Sequence, residues 1–271
     1  MVMVEIPVDG GRVFDLEQPR TRDMPVLPPY QPGFDYFLHR HHEDEYERTR
    51  PRTSASGLIV CTEHSGTHID AICHQADDLK VLGGVPVGEV QTSRGFSRFG
   101  ADEIPPIVAP GILLDVPASK GVEELEAGYE VTVADLEECC DKQGISVGPE
   151  TVALVRTGNG CHWKDPERYI DGPGVAVESS RWLAEQQVLA VGADNMAWDV
   201  RDVEDPELGA MFAGHLVLIV HHGIYIIENL LLEELASAGV YEHTFVCAAP
   251  KFAGATGAPV RPLAIAPSSH P

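Results

Sequence analysis

The sequence predicts a single α/β domain with a mixed sheet and an extended N-terminal arm. Three observations carry that expectation. Short apolar runs bounded by Gly, Pro, Asp or Asn recur along the chain, capped helical segments fall between them, and the first 57 residues show neither pattern. A chain of 271 residues, 44% of them hydrophobic, is also long enough to bury one substantial core.

In chain order, residues 1–57 are rich in Pro, Arg, Tyr and His, as in MPVLPPYQPGFDYFLHRHHEDEYERTRPR. They read as a short strand near Val13 to Leu16 followed by an extended arm that wraps the body or reaches a neighbouring subunit. Residues 58–271 read as the domain proper. Within it GILLDVP (111–117), TVALVRT (151–157), QVLAVGAD (187–194), GIYIIEN (223–229) and HTFVCAA (243–249) read as buried strands. The first helix is VTVADLEECCDKQG, with Thr132 as N-cap, Asp135 three residues on and Gly144 as the stop. ESSRWLAEQQ (178–187) and NLLLEELASAG (229–239) follow, with Asn229 as the N-cap of the last.

The charge is lopsided: 42 acidic against 19 basic residues give a formal net charge of -23. Nucleic acid and anionic membrane surfaces would be repelled, whereas metal cations and neutral small molecules are favoured guests. The longest apolar runs, LVLIV (216–220) and IYII (224–227), fall far short of the roughly 20 residues that cross a bilayer. The start MVMVEIPVDGGRVFDL has no basic leader, so a cytoplasmic protein is expected. Six cysteines without C-x-x-C pairing then read as reduced thiols.

The chemistry concentrates in HSGTHIDAICH, residues 64–74. On a helix, Asp70 would lie about 240° around from His64; on a strand, His64 and His68 would be about 13 Å apart, too far for one ion. A turn at Ser65-Gly66 reconciles them. Thr67 to Asp70 then runs as a short strand with His68 and Asp70 on one side, His64 folds back onto that pair, and His74 stands just outside. Two imidazoles and a carboxylate suit Zn²⁺, Mn²⁺ or Fe²⁺ and leave positions open for water and substrate.

This stretch resembles the signature H-x-G-T-H-x-D-x-P-x-H of the metal-dependent cyclase family, which includes bacterial kynurenine formamidase and isatin hydrolase. His64, Gly66, Thr67, His68, Asp70 and His74 match, with Ile72 in the proline position. The likeness extends through GILLDVP, VRTGNG, GADNMAWDV and HLVLIVHHGIYIIENL. The resemblance implies a swivelling β/β/α-type fold, a Zn²⁺ or Mn²⁺ cofactor, a homodimer or homotetramer, and hydrolysis of amides or esters by metal-activated water. It further implies His64, His68 and Asp70 as metal ligands and His74 as acid/base. His215 and Glu228 match its later ligands, with His221 or His222 as alternatives to His215. The N-terminal arm favours an isatin-hydrolase-like opening of a cyclic amide, imide or lactone over an arylformamidase acting on N-formylkynurenine. Independently of the family, Glu228 ends an apolar run leading into a helix, where α/β proteins place ligand groups; alternatively it only favours the helix dipole.

Other features compete. His68, Asp70 and His215 also fit the H-x-D…H triad of non-haem iron oxygenases, although those are usually all-β barrels. A metal-binding protein without catalysis is a third reading. HRHH (39–42) is a candidate second metal site, but it abuts Glu43, Asp44 and Glu45 and reads rather as a solvated charged segment; if it acts, Phe34, Tyr36 and Phe37 would line substrate. Cys161 and His162 are adjacent, and on extended chain would point apart. Gly158-Asn159-Gly160 is a turn without the lysine of a phosphate loop. Trp163 and Trp198 are candidates for an apolar pocket, and Arg156 or Arg201 for a local positive charge.

Overall fold

The computed structural model describes residues 11–267; the first ten residues of the stretch expected to carry no basic leader lie outside the described residues. Eleven strands organise the chain: β1 Arg12–Asp15, β2 Phe34–Arg40, β3 Ser56–Cys61, β4 His68–Asp70, β5 Ile107–Asp115, β6 Val152–Arg156, β7 Ala190–Ala193, β8 Tyr225–Glu228, β9 Glu242–Cys247, β10 Gly257–Pro259 and β11 Leu263–Ala266. Nine of them form one mixed sheet in the order β1-β11-β9-β5-β6-β7-β8-β4-β10. The four central strands β5 to β8 are parallel, and the flanking pairs are antiparallel. This is the mixed α/β domain expected from the sequence, and not the all-β barrel of the oxygenase reading.

The central strands are buried on both faces, which is why they read as continuous apolar runs. Alternate residues of β6 feed two cores. Val152 and Leu154 join Phe14, Ile227, Leu235 and Phe245 on one side. Ala153 and Val155 join Leu136, Cys139 and Leu183 on the other, where the helices Val133–Gln143 and Val177–Glu185 cover the sheet. The first of these helices has the capping box of Thr132 and Asp135 and ends at Gly144 in the left-handed conformation.

The main departures from the sequence reading lie at β5 and at the last helix. β5 starts at Ile107 and stops at Asp115, because the Asp115 carboxylate caps the short helix Val116–Lys120. The last helix covers only Glu233–Ser237 and starts after Leu232. Asn229 is not its N-cap; it adopts φ 57° and its side chain bonds elsewhere.

The N-terminal segment divides into three parts. β1 is an edge strand of the main sheet, with Phe14 and Leu16 buried. Residues 27–30 then lie over the end of β8, and β2 and β3 pair as a separate hairpin, with residue 58 inside β3. The hairpin exposes Tyr36, Phe37, Leu58 and Ile59, and its distal His39, His41 and His42 are exposed. All six cysteines are free, and no described helix is long and apolar enough to cross a membrane.

Candidate metal centre

Sheet register assembles the centre. β4 runs antiparallel to β8, so His68 lies directly opposite Glu228, and Asp70, two residues along, shares its face. Gly66, at φ 60°, makes the turn that returns His64 to Asp70, a conformation costly for any residue with a Cβ. A 3-10 turn at Ile72–His74 then stacks His74 on His64, with ring centroids 3.9 Å apart. His215 arrives from the helix Ala213–His215, which continues as a π-helix over Leu216–His221. Wide helical turns of this kind often occur at functional sites.

All six predicted side chains meet here. His64, His68, Asp70, His215 and Glu228 are each at most 6% exposed. Their donor atoms fall into two groups within ion-binding reach, His64-Asp70-His74 and Asp70-His215-Glu228, which share Asp70. His68 stands beside both carboxylates, its Nε2 3.6 Å from Asp70 Oδ1 and 3.3 Å from Glu228 Oε2. The structure thus draws His74 into the His64-Asp70 group, where the sequence placed it just outside. His221 pairs with Asp77 and His222 with the Val217 carbonyl, so neither enters the centre.

Hydrogen bonds around the centre fix the tautomers. His68 Nδ1 donates to the Gly66 carbonyl at 2.7 Å, and His215 Nδ1 donates to Asp199 Oδ2 at 2.6 Å. Thr256 Oγ1 donates to Glu63, so its oxygen accepts from His64 Nε2 at 2.8 Å. Each imidazole is left turning its other nitrogen on a carboxylate: His64 Nδ1 lies 2.8 Å from Asp70 Oδ1, and His215 Nε2 lies 3.2 Å from Glu228 Oε1. In neutral imidazoles these are lone pairs facing lone pairs, an arrangement that only protons or a cation reconciles. Asp70 Oδ2 and Glu228 Oε1 are buried without any hydrogen-bond partner. These orphaned oxygens, with the imidazole nitrogens aimed at them, fit a divalent ion.

Proton affinities follow the same geometry. Burial alone would raise the Asp70 carboxyl, but His74, His64 and His68 outweigh it and hold it below the ordinary range. Burial would lower His68 and His215; the Glu228 and Asp70 carboxylates outweigh it for His68, and Asp199 and Glu228 for His215, so both are raised. His74 is the exception, since burial pushes it down to about 4 despite Asp70. Tyr30 is pushed up to about 12 by burial and then by the charges of Glu228, Asp70 and Glu63.

A cavity of about 320 Å³ opens onto the centre, walled by Leu27, Pro29, Tyr30, Met196, Phe212 and Arg201. The other candidates fall elsewhere. Trp163 and Trp198 are core residues whose indoles donate to the Pro19 carbonyl and to Ser180. Arg156 is buried between Asp115 and Glu233. Asp199 escaped the sequence reading although it lies in GADNMAWDV: nothing in its spacing announces that it accepts from the Gly214 and His215 amides as well as the His215 ring. Asn229 also escaped; its side chain donates to Gly66 O, the same carbonyl that fixes His68, and accepts from Tyr169.

Comparison with known proteins adds three findings. The family described as "Putative cyclase" matches residues 14–200, a span that ends before His215 and Glu228. Among solved structures, the chain is similar to a novel cyclase at 27% identity, with TM-score 0.83 over 95% of this chain and 89% of that one. It also shares the fold of an isatin hydrolase bound to the product analogue thioisatinate, at 18% identity and TM-score 0.74 over 95% and 93% of the two chains. A potential metal-dependent hydrolase with cyclase activity aligns at 21% identity and TM-score 0.62 over 94% and 99%. No curated protein matches the sequence.

Proposed function

The chain belongs to the cyclase family, and from that premise we propose that it is a metal-dependent hydrolase that opens a cyclic amide, imide or lactone with a water molecule. The observation that carries this reading is the set of lone pairs converging on Asp70 and Glu228, with two carboxylate oxygens lacking partners, at the floor of a cavity of small-molecule size. His64, His68, Asp70, His215 and Glu228 would hold Zn²⁺ or Mn²⁺. Such an ion supplies Lewis acidity, bringing the pKa of water down toward 7 and polarising the substrate carbonyl.

The chain's own groups do the rest. His74 is neutral at pH 7 and carries a lone pair, so it accepts a proton from the attacking water and returns it to the departing nitrogen or oxygen. An amine leaves badly without that proton, whereas an activated ester does not need it. Tyr30 keeps its proton and so has an O–H to donate, which suits hydrogen bonding to a carbonyl oxygen. Arg201 is already paired with Asp171 and Asp202, so its guanidinium is not free to hold an anionic substrate, which favours a neutral ring. Leu27, Met196 and Phe212 supply apolar walls for that ring. The exposed apolar side chains of the β2-β3 hairpin support assembly of two or four chains.

The test is metal analysis of the purified protein, followed by turnover of isatin, N-formylkynurenine and a small lactone panel. We expect bound metal and ring opening that a chelator abolishes. Preference for N-formylkynurenine would make the protein an arylformamidase instead, and turnover that needs oxygen would overturn hydrolysis.

A further inference from the structure

The turn after β6 brings together three side chains that the proposed chemistry does not use. It is not the extended chain expected from the sequence: Asn159–His162 form a 3-10 turn, and Cys161 and His162 both reach Glu124. Gly158 makes this possible. It sits at φ 85°, and a Cβ there would lie 2.7 Å from Glu124 Cα, so only glycine lets the two segments lie this close. The turn is held from beneath, because Asp194 accepts from the Thr157, Gly158 and Gly160 amides, and Leu125 N donates to Thr157 O.

We propose that Cys161, His162 and Glu124 form a second, surface binding site for a thiophilic divalent cation such as Zn²⁺ or Co²⁺. Their donor atoms lie within ion-binding reach of one another. The two Glu124 oxygens divide their work: Oε1 takes Arg168, while Oε2 alone faces both His162 Nε2 and Cys161 Sγ, the latter at 3.5 Å. A tetrahedral ion bonded at about 2.0–2.3 Å separates its donors by roughly 3.3–3.8 Å, and the thiol-carboxylate spacing already lies in that range. Arg168 thereby orients the carboxylate with Oε2 inward, as outer partners of metal ligands do. His162 borders an open cleft of about 320 Å³, which leaves the fourth position to water. On binding, the Cys161 thiol loses its proton to the buffer and the thiolate becomes the ligand.

Sulfur distinguishes this site from the buried centre, whose six candidate side chains offer only nitrogen and oxygen. Reduced full-length protein, first saturated at the buried centre with Mn²⁺, which binds thiolate weakly and leaves the surface site free, would be titrated with Co²⁺ and followed by thiolate-to-cobalt charge-transfer absorption. We expect one further equivalent with that absorption. Cys161→Ser should lose the band, Arg168→Gln should weaken binding by about 10-fold, and Asp70→Asn should leave the band unchanged. Cys161 is exposed, so its replacement leaves the fold intact. Absence of the band at saturating Co²⁺, or its persistence in Cys161→Ser, would overturn the proposal.

Discussion

His68 on β4 and His243 on β9 are imidazoles on strands of one sheet, both nearly fully buried, yet their surroundings drive them in opposite directions. His243 packs over Gly111 with neither ring nitrogen hydrogen-bonded, and burial pushes it down to about 4. His68 pays the same desolvation, but Glu228 and Asp70 outweigh it and raise its proton affinity. Burial alone makes an imidazole a neutral core residue. It takes two carboxylates without other partners to turn the same ring into part of a cation site, because their charge must be met by protons or by a metal.

The strongest way to break this contrast is Asp70→Asn, which removes the carboxylate shared by both donor groups. Metal binding, followed by calorimetry, should become undetectable; retained affinity would deny Asp70 its place. In the unaltered protein, metal binding should release protons, because the raised His68 and His215 hold protons that the ion displaces. Affinity should therefore rise with pH, and calorimetry in buffers of different ionisation enthalpy reads the proton count directly.

The His243 side of the contrast is tested by pH. Its folded-state value of about 4 lies below the ordinary 6.5. The unfolded chain thus takes up a proton first, and the stability this ring contributes is present above pH 6.5 and lost as pH falls toward 4. By linkage the loss approaches roughly 3 kcal/mol. Denaturant unfolding of His243→Leu beside the parent protein should show the difference opening across that window; parallel curves would mean the ring is not held neutral.

Smaller effects sharpen the picture. Asp199→Asn should reduce metal affinity by about 10- to 100-fold while preserving the fold, since Asp199 orients His215 without being a ligand. His221→Ala should leave affinity unchanged, because that ring pairs with Asp77 outside the centre.

The sequence made the fold's middle legible for a simple reason: β5 to β8 are buried on both faces, and buried parallel strands are written as unbroken apolar runs between turn residues. The first half of the centre was legible too, since Gly66 and the even spacing of His64, His68, Asp70 and His74 describe a turn and a strand within eleven residues. What stayed hidden depends on register and on long-range hydrogen bonds. That Glu228 lies opposite His68 is a property of the β4-β8 pairing, 160 residues apart in sequence. Asn229 looked like a helix cap because local propensity favours that role, whereas its side chain is engaged by Gly66 and Tyr169. The convergence of Cys161 and His162 was missed because the turn is helical rather than extended.

Anomalous diffraction from a crystal grown with Zn²⁺ or Mn²⁺ and measured at that metal's absorption edge tests the central claim most directly. The account predicts a peak in bonding contact with Asp70 and at least two of His64, His68 and His215, with Glu228 completing the set. Density confined to the protein surface, with Asp70 and Glu228 left bare in metal-saturated crystals, would contradict it.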